Sequence, residues 1–435
     1  MNARELLRGA GLAFALRVAG AGLGLLLNWW LAHHMGAKGL GLFFLAMTIV
    51  SLFAILGRLG LENTVLRMVA RAAAAQDWLR VNQLGRDALS LAMLASGMLV
   101  LTLFLVGPLL SIGIFHKPGL VPALRWLTPA ILAMAAIILY GEMLKAVKRI
   151  RESQIVQSLA TPTLVLAVLI PLGRLDLNTV AVASTGAMFA TALLGWGFWR
   201  RALPRLPGPK LAADYRDLLA PSRAFIWVNV MSTLNDWADI LVLGVVAPSE
   251  DVGIYGLTKR LVVAMSFVLI AVNTVVAPRF AALHDQNDLA ALRRTALHAT
   301  RLTALVAGPF VLALLFFHGW ILGLFGADFR AGGLALAIMA AGQLVNLGTG
   351  SVGQLLAMTG QQERLRKIAF IVTGINILLL FVLTTRWGML GAAAATGFTI
   401  ALDNLLKTYF VVKHFGFRVD FFSAWGIRDQ HPVAP

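Results

Sequence analysis

Seven ionisable side chains lie inside long apolar runs, where a membrane-spanning helix ordinarily carries none. They are Arg17, Arg58, Glu62, Asp236, Asp239, Lys259 and Arg260. Placing one such charge at the centre of a bilayer costs roughly 2.5 to 3.5 kcal/mol. If all seven faced lipid, the cost would be on the order of 20 kcal/mol, more than the stability of a whole protein. We therefore expect them to face protein or water, where they are available for binding and proton chemistry.

The two aspartates suggest ion coupling. Asp236 and Asp239 stand about one helical turn apart, and such a carboxylate pair can bind H⁺ or Na⁺, so that its charge state favours one conformation. The alternative is a static salt bridge. By helical rise, Asp239 and Lys259 both lie roughly 10 Å below the same membrane surface and can pair. Both interpretations stay open.

The cations suggest an anionic ligand. Arginines and lysines in the set exceed carboxylates by one charge, which favours a pyrophosphate or a uronic acid. Arg17 shares a helix face with Gly20, Gly24 and Asn28, which leaves room for a head group beside the guanidinium. The alternative is a packing face with a buried arginine capped by carbonyls.

Arg58 and Glu62 are spaced i,i+4 in the second apolar run. This spacing predicts either an intrahelical ion pair near the cytoplasmic end or a role in admitting substrate.

Uncharged polar residues also fall on single helix faces. Asn229 shares a stripe with Asp236 and Asp239, and Asn273 lies on the face of Lys259, with Arg260 beside it. In a later run the stripe consists of Gln343, Asn346 and Gln354. Such a stripe suits sugar hydroxyls, and helix–helix hydrogen bonding is an equally plausible use. Asp403 and Lys407, spaced i,i+4, are predicted to form a structural pair.

The elements that position these residues are membrane helices. The chain has 435 residues, of which 59% are hydrophobic and 13% charged, and the apolar residues come in blocks of about 20 or more. We predict an all-α polytopic membrane protein, and the absence of period-two alternation excludes a β-barrel. Twelve spans are predicted, at residues 9–34, 41–70, 88–115, 123–145, 154–172, 179–200, 218–246, 253–280, 301–325, 332–358, 367–385 and 388–412.

Lysine and arginine are concentrated in alternate loops, which predicts that both termini are cytoplasmic. The net charge of +17 is then largely topological, and we expect no nucleic-acid partner. A basic, proline-containing segment separates two six-helix halves. The predicted divisions are an N-terminal lobe at 1–200, a cytoplasmic linker at 201–217, a C-terminal lobe at 218–412 and a cytoplasmic tail at 413–435.

The two halves resemble each other at a spacing of about 212 residues. Gly41-Leu-Phe matches Gly253-Ile-Tyr, and Gly141-Glu-Met-Leu144 matches Gly353-Gln-Leu-Leu356, while Asn63-Thr-Val65 matches Asn273-Thr-Val275 with a two-residue slip. An even number of helices per half predicts parallel repeats around a central cavity, as in many transporters.

Several short motifs carry a family resemblance. They are the Gly-x-Gly-Leu-Phe-Phe opening at 39–44, the Gly-Leu-Glu-Asn-Thr-Val-Leu-Arg segment at 60–67 and its counterpart Gly253-Ile-Tyr-Gly256. With the 6+6 plan, they resemble the polysaccharide-transporter (Wzx-type) branch of the multidrug/oligosaccharidyl-lipid/polysaccharide (MOP) exporter superfamily.

This resemblance implies two lobes in a V that alternate between inward and outward openings. It also implies a polyprenyl-pyrophosphate-linked oligosaccharide as substrate, an O-antigen, capsule or exopolysaccharide unit, in the bacterial inner membrane. Partner polymerases or glycosyltransferases would then be expected.

Other classes of protein fit the sequence less well. Drug or cation antiporters of the same superfamily typically carry a carboxylate in the first helix, where this chain has Arg17 and Asn28. Lipid II flippases usually carry two further C-terminal helices. The chain has no cysteine, His-Glu-x-x-His spacing or Walker-type loop, so we expect neither an enzyme, nor a metal site, nor a cofactor.

Overall fold

Helices make up almost the whole chain. The computed structural model describes residues 3–173, 176–204 and 215–426, apart from the side chains of residues 3–10, 13, 216, 220, 223–229, 231, 232, 234 and 235. Of the described residues 89% are helical, and none lies in a strand. The predicted all-α class is therefore confirmed. Two compact units are present, Met1–Val245 and Val246–Pro435, and we call them unit 1 and unit 2.

The helices of unit 1 begin and end at turns rich in glycine and aspartate. In order they are α1 (Ala3–Gly57), α2 (Leu61–Ala74), α3 (Trp78–Leu109), α4 (Leu120–Leu127), α5 (Ala130–Ala146), α6 (Ile150–Gln154), α7 (Ala160–Leu172), α8 (Leu177–Ala202) and α9 (Tyr215–Val246). Short π-helical turns at Leu110–Ile114 and Ile155–Leu159 extend α3 and join α6 to α7.

Unit 2 repeats the pattern of long apolar helices. They are α10 (Ser249–Asp285), α11 (Leu289–Phe316), α12 (His318–Gly323), α13 (Gly333–Thr349), α14 (Val352–Met358), α15 (Gln362–Phe415) and α16 (Phe421–Ala424), with a 3₁₀ turn at Ala327–Gly332.

Eight helices among the described residues are long and apolar enough to cross a membrane, or nine if bent α4 and α5 form one span. Two of the eight, α1 and α15, each contain a glycine with non-helical backbone. Gly36 has φ 64° and Gly388 has φ 54°, a conformation that glycine adopts without a steric penalty. Each of these helices is two spans joined at a sharp bend. With α9 included, the described segments are consistent with the twelve predicted spans.

The internal repeat extends to the backbone of the turns. Gln76 (φ 59°) precedes Asp77, the N-cap of α3, and Asn287 (φ 54°) precedes Asp288, the N-cap of α11. The Asp77 carboxylate accepts from the N–H of Arg80 at 2.9 Å, and Asp288 caps its helix in the same way at 2.8 Å. Positions 76 and 287 are 211 residues apart. The same left-handed turn with the same cap therefore begins the third long helix of each half.

In unit 1, α5 occupies the core and packs against α2, α3 and α8. Its Gly141 faces the side chain of Gln157 so closely that an added Cβ would lie 2.2 Å from Nε2. The hydroxyl of Ser153 also donates to the carbonyl of Gly141, at 2.8 Å. Small residues at such crossings allow helices to approach closely, as membrane bundles require.

Helix α9 belongs to unit 1 and is held at both ends. Arg80 on α3 pairs with Asp217 at 2.8 Å, and the amine of Lys117 donates to the carbonyl of Gly244 at 2.5 Å. The compact units divide at Val245/Val246, at the last residue of α9. The predicted lobes on either side of a linker at residues 201–217 stay a prediction. Most of that predicted linker, residues 205–214, lies outside the described part of the chain. A central cavity between two lobes stays a prediction.

In unit 2, α13 packs against α11 and α15. An added Cβ at Gly342 would lie 2.4 Å from the carbonyl oxygen of Gly397, so the two backbones nearly touch. Helix α13 ends at Gly350 (φ 66°), and α14 continues beyond the break. The predicted tail folds back onto unit 2, where Val419 accepts a 2.9 Å hydrogen bond from the Thr300 hydroxyl.

Candidate functional site

A cavity of about 350 Å³ lies within unit 2 where α10, α15 and the break between α13 and α14 come together. We call it the polar cavity. Its lining is Ser266, Leu269, Asn273, Gln343, Asn346, Gly350, Ser351, Gly353, Gln354, Ile400, Asp403, Asn404 and Lys407. The structure thus brings Asn273 together with the predicted amide stripe from a different helix. Their binding role stays a prediction.

The break at Gly350 opens this cavity. The left-handed backbone of Gly350 ends α13, and the next turn leaves the helix axis. The space beside α15 is therefore not filled by backbone. Only glycine fits there, because an added Cβ would lie 2.1 Å from the hydroxyl oxygen of Thr300. Gln343 and Asn346 project before the break and Gln354 after it.

The polar groups of the cavity are partly joined to one another. Nδ2 of Asn346 donates to Oε1 of Gln343 at 2.8 Å. Lys407 and Asp403, one turn apart on α15, form an ion pair. The structural pair predicted for these two residues is therefore present, but it also borders the cavity, which the sequence analysis did not predict. The lining of the cavity includes one cation and one carboxylate, together with amides and hydroxyls.

Two polar atoms of the lining make no hydrogen bond within the described part of the chain. They are the side-chain oxygen of Asn273 and the hydroxyl oxygen of Ser351, both buried. A buried polar group without a partner costs about 1 to 3 kcal/mol. Both atoms can therefore gain a hydrogen bond from a ligand or water that enters the cavity. Amides and hydroxyls supply the donors and acceptors that sugar hydroxyls need, and Lys407 supplies a cation for an anionic group.

Unit 1 contains a second polar assembly, made by Arg58, Glu62, Glu142, Lys145 and Gln157, which we call the polar cluster. Nε of Arg58 lies 3.4 Å from the Glu62 carboxylate, and both side chains are largely buried. Glu142 pairs with Lys145 at 2.6 Å and accepts from Gln157 at 3.1 Å. Of the two alternatives given for Arg58 and Glu62, the ion pair is present, but it is not intrahelical, because Arg58 lies in the turn between α1 and α2 and Glu62 in the first turn of α2. The cluster holds two cations and two carboxylates, so it has no charge excess.

The first helix differs from the expected arrangement. Arg17 is exposed, whereas nearby Gly20 packs so tightly that an added Cβ would lie 2.6 Å from the carbonyl oxygen of Ser158. The amide of Asn28 donates to the carbonyl of Gly24 at 2.7 Å, within its own helix. The Asn28 amide nitrogen is thus used locally. The binding role of Arg17 stays a prediction.

The two aspartates of α9 lie in different surroundings. Asp239 is 2% exposed, and its Oδ1 accepts from the N–H of Ile240 at 2.8 Å, whereas Asp236 is exposed. The side chain of Asn229 lies outside the described residues. Lys259 is half-buried, and Arg260 donates through Nη1 to the carbonyl of Gly256 at 3.1 Å. The pairing of Asp239 with Lys259 stays a prediction.

Sequence reasoning did not assign several polar residues of these two assemblies to a site, and four of them illustrate why. Asp403 and Lys407 were assigned to structure alone, because periodicity within one helix does not report what a neighbouring helix presents. Glu142 and Gln157 lie inside the fourth and fifth predicted spans. A charged or amide side chain inside an apolar run was the available signal. Within the described residues, no group of three or more His, Asp or Glu side chains is placed to hold a metal ion.

Solved structures with the same fold are transporters of the MOP superfamily. One is titled as the inward-facing conformation of a multidrug resistance MATE family transporter of that superfamily, with a TM-score of 0.72 and 14% identity over 90% of this chain and 94% of that chain. Another is the lipid II flippase MurJ in an inward closed conformation, with a TM-score of 0.74 and 15% identity over 94% of this chain and 89% of that one. The fold is therefore the MOP transporter fold, as predicted.

The sequence defines the family more closely. The family described as polysaccharide biosynthesis protein matches residues 6–284, well over half of the chain, and the chain belongs to it. The family described as MatE matches residues 224–382. The chain is also 21% identical to the probable low-salt glycan biosynthesis flippase Agl15 of Haloferax volcanii, over 94% of this chain and 84% of the relative. A second relative from that organism, the probable flippase AglR, is 25% identical over 41% of this chain and 39% of its own length.

Proposed function

We propose that the chain is a flippase that moves a lipid-linked oligosaccharide across a membrane by alternating access. The observation that carries the proposal is the polar cavity, an amide-lined and hydroxyl-lined space within an otherwise apolar helical unit. Moving sugar hydroxyls through hydrocarbon without hydrogen bonds costs several kcal/mol per group, so a glycan carrier needs such a space. The family match and the relatives named as glycan flippases support the same assignment.

The finer features of the proposal follow from the sequence. The carrier lipid is a polyprenyl pyrophosphate, the glycan is an O-antigen, capsule or exopolysaccharide unit, and the membrane is a bacterial inner membrane with both termini cytoplasmic. Substrate crosses without a change in its covalent bonds, so the chain acts as a carrier and not as an enzyme. A polymerase and glycosyltransferases would act before and after it.

Arg17, Arg58, Lys259 and Arg260 are the cations assigned to the head group in this proposal. Asn28, Glu62 and Asn229 in unit 1 and Asn273 in unit 2 are also assigned to substrate binding, and Gln343, Asn346 and Gln354 are assigned to the glycan. Asp236 and Asp239 couple the cycle to H⁺ or Na⁺. The argument for this coupling is the pair of carboxylates about one helical turn apart, whose charge state can favour one conformation.

The second candidate is an ion-coupled drug or metabolite antiporter, supported by the MatE match over residues 224–382. Such a protein would favour cationic substrates and would need a carboxylate available to them. In the polar cavity the carboxylate of Asp403 is already paired with Lys407. A lipid II-type flippase is a variant of the leading proposal with a different glycan.

Transport by the purified chain in vesicles tests the function. A fluorescent lipid-linked oligosaccharide is supplied on one face, and its arrival on the other is measured by accessibility to periodate, which does not cross membranes. The double variant Gln343→Leu/Asn346→Leu removes the amide pair. We expect transport to fall at least about tenfold, since two hydrogen bonds of roughly 1 kcal/mol each are lost. Gln362→Leu, at an exposed site, is the matched control.

Two further results would separate the candidates. Charge reversal at Arg17 or Lys259 should abolish surface-glycan assembly while membrane-inserted protein is retained, and normal assembly would remove these cations from the site. If the wild-type chain exports organic cations and leaves the lipid-linked glycan on its original face, the antiporter assignment replaces the flippase.

A further inference from the structure

Unit 2 carries an apolar groove of about 430 Å³ between α11 and α13, separate from the polar cavity. Its lining is apolar throughout and comes from residues 304–312 of α11, residues 344–348 of α13, and Phe421 with Phe422 of α16. We call it the α11/α13 groove. Several of its side chains, including Leu305 and Leu312, are exposed along its length. In a membrane, hydrocarbon is what covers such a surface.

Two glycines create the space. Gly308 on α11 and Gly348 on α13 both line the groove, and an added Cβ at either position would meet no atom within 4 Å. Elsewhere in the unit, glycines of paired helices permit contact, as Gly342 does against Gly397. In the groove they leave an open channel. This open space lies between α11 and α13, which pack against each other.

One end of the groove is built by the folded-back C-terminal segment. The Thr300 hydroxyl donates to the carbonyl of Val419, and Nε of Arg301 donates to the carbonyl of Ala424. These two contacts fix the aromatic pair Phe421 and Phe422 at the groove. Arg301 lies one helical turn before Leu305, so a guanidinium stands roughly 6 Å along the helix from the apolar lining. An apolar channel with a cation at its end is complementary to an amphiphile that has an anionic head group.

The groove and the polar cavity use different sides of one helix. On α13, Gln343, Asn346 and Gly350 line the cavity, while Leu344, Leu347 and Gly348 line the groove. At about 100° per residue the two sets are centred roughly 120° apart. A single helix therefore separates a surface suited to hydroxyls from one suited to hydrocarbon, at the same height.

We infer that the α11/α13 groove binds the polyprenyl chain of the lipid carrier when the carrier docks on unit 2, with its phosphate near Arg301 at this docking stage, before the head group reaches the cations assigned to it above. The inference rests on the proposed function and extends it by giving the lipid tail its own site. The apolar lining with a cation one turn away matches a polyprenyl phosphate, in which a single hydrocarbon chain ends in an anionic group, whereas a neutral phospholipid brings two chains and no net charge. The contact would hold the tail in the membrane while the glycan occupies polar space.

Photo-crosslinking of a lipid probe tests this directly. The full chain is reconstituted in nanodiscs of neutral phospholipid with a trace of diazirine-bearing polyprenyl phosphate, irradiated, and mapped by mass spectrometry. We expect adducts concentrated in residues 304–312 and 344–348. Gly348→Leu fills the groove and should lower this labelling about tenfold, the loss expected when about two methylene groups lose their burial. Gly374→Leu is the matched control, because Gly374, like Gly348, is a helical glycine with no atom within 4 Å of an added Cβ, and it lies outside the groove lining.

Two comparisons identify the ligand. A diazirine-bearing phospholipid should label the groove no more than the rest of the apolar surface; equal enrichment of this probe would overturn the inference in favour of an ordinary lipid contact. Arg301→Gln should lower labelling by polyprenyl phosphate but not by the uncharged polyprenol. If Arg301→Gln only displaces the C-terminal segment, labelling by the two probes should fall equally. An equal fall would show that Arg301 does not bind the phosphate.

The binding readout is independent of transport. If the groove is labelled but the glycan is not translocated, the flippase proposal is contradicted and the lipid site is still supported. Undiminished labelling in Gly348→Leu, with transport still dependent on Gln343 and Asn346, would overturn the groove alone.

Discussion

Lys407 is ion-paired with Asp403 at the wall of the polar cavity, and neither side chain is fully buried, with 22% and 26% of their surfaces exposed. The part of each side chain that stays exposed faces a space lined by amides and hydroxyls. The pair is therefore reachable by a third group, which the structural role predicted from its i,i+4 spacing does not require. Its position allows an incoming anionic group to take the place of Asp403 at the amine.

Replacing Lys407 should impair transport far more than stability. In Lys407→Met the cavity loses its cation, and we expect at least about tenfold slower translocation, because a charge-assisted hydrogen bond contributes roughly 1.5 to 3 kcal/mol. Asp403→Asn should retain or increase the rate, since it removes a competing anion. The rate is measured in vesicles with a lipid-linked oligosaccharide.

Arg366→Met is the control for this pair. Arg366 forms a 2.7 Å ion pair with Glu363 on the same helix, but both side chains are more than half exposed and lie outside the cavity lining. Its loss should leave the rate unchanged. Equal rates in Lys407→Met and in the wild type would contradict a role for the amine in substrate binding.

Gly350 should tolerate no side chain. Gly350→Ala places a methyl group 2.1 Å from the Thr300 hydroxyl oxygen at a backbone φ of 66°. The strained backbone alone costs about 1 to 3 kcal/mol, and the clash adds to it. We expect a lower unfolding temperature in detergent and loss of transport.

Gly348→Ala, two residues earlier, provides the comparison. It has open space around it and lies within α13, where alanine is favoured over glycine by about 0.5 to 1 kcal/mol in soluble helices. Its unfolding temperature should be equal or higher. If Gly350→Ala were as stable as Gly348→Ala, the break would not depend on glycine.

The fold could be predicted from the sequence because hydropathy and the positions of basic residues act locally. The bend at Gly388 coincides with the predicted boundary between the last two spans. The sites could be predicted only in part. The spacing of Gln343 and Asn346 places them on one face, but the arrival of Asn273 and Lys407 at the same cavity depends on how three helices pack. The periodicity of residues along one helix does not predict which residues of other helices lie beside it.

Glu142 illustrates the same limit in unit 1. Its carboxylate contacts Lys145 one turn away and Gln157 on the next element of the chain. The first contact follows from i,i+3 spacing, whereas the second requires the close crossing at Gly141. The two aspartates of α9 show the limit in another way. Their spacing predicts a similar depth in the membrane, but it does not predict that Asp239 is buried while Asp236 is exposed.

Asp176 should make the start of α8 sensitive to acid. Its carboxylate accepts from the N–H of Thr179 at 3.2 Å and from the Thr179 hydroxyl, and the hydroxyl contact chiefly lowers the pKa of Asp176 below its ordinary value. A carboxylate with a lowered pKa in the folded state stabilises the protein above its unfolded pKa of about 3.9. That contribution is lost as the pH falls from there through the folded pKa.

Hydrogen exchange at the first turn of α8 measures this effect. Exchange there should increase as the pH falls below about 4, relative to the intrinsic rate at each pH. Asp176→Asn keeps the cap but cannot titrate, so its protection should not change with pH over this range. The same acid dependence in Asp176→Asn would assign the effect to another group.

Arg58 and Glu62 should show strong mutual dependence in a double-mutant cycle. Both side chains are largely buried in the polar cluster, and Nε of Arg58 lies 3.4 Å from the carboxylate. Glu62→Gln leaves a buried guanidinium without its nearest counter-charge, which should destabilise the chain by about 3 kcal/mol. Arg58→Met should have a similar effect, because it leaves the buried Glu62 carboxylate without its nearest cation.

The double variant Arg58→Met/Glu62→Leu removes both charges. We expect its unfolding free energy to lie closer to that of the wild type than the value of either single variant does. Denaturant titration in micelles measures the four values. Simple additivity of the two single changes would show that the cluster does not depend on this pair, because Glu142 would then be supplying the counter-charge to Arg58.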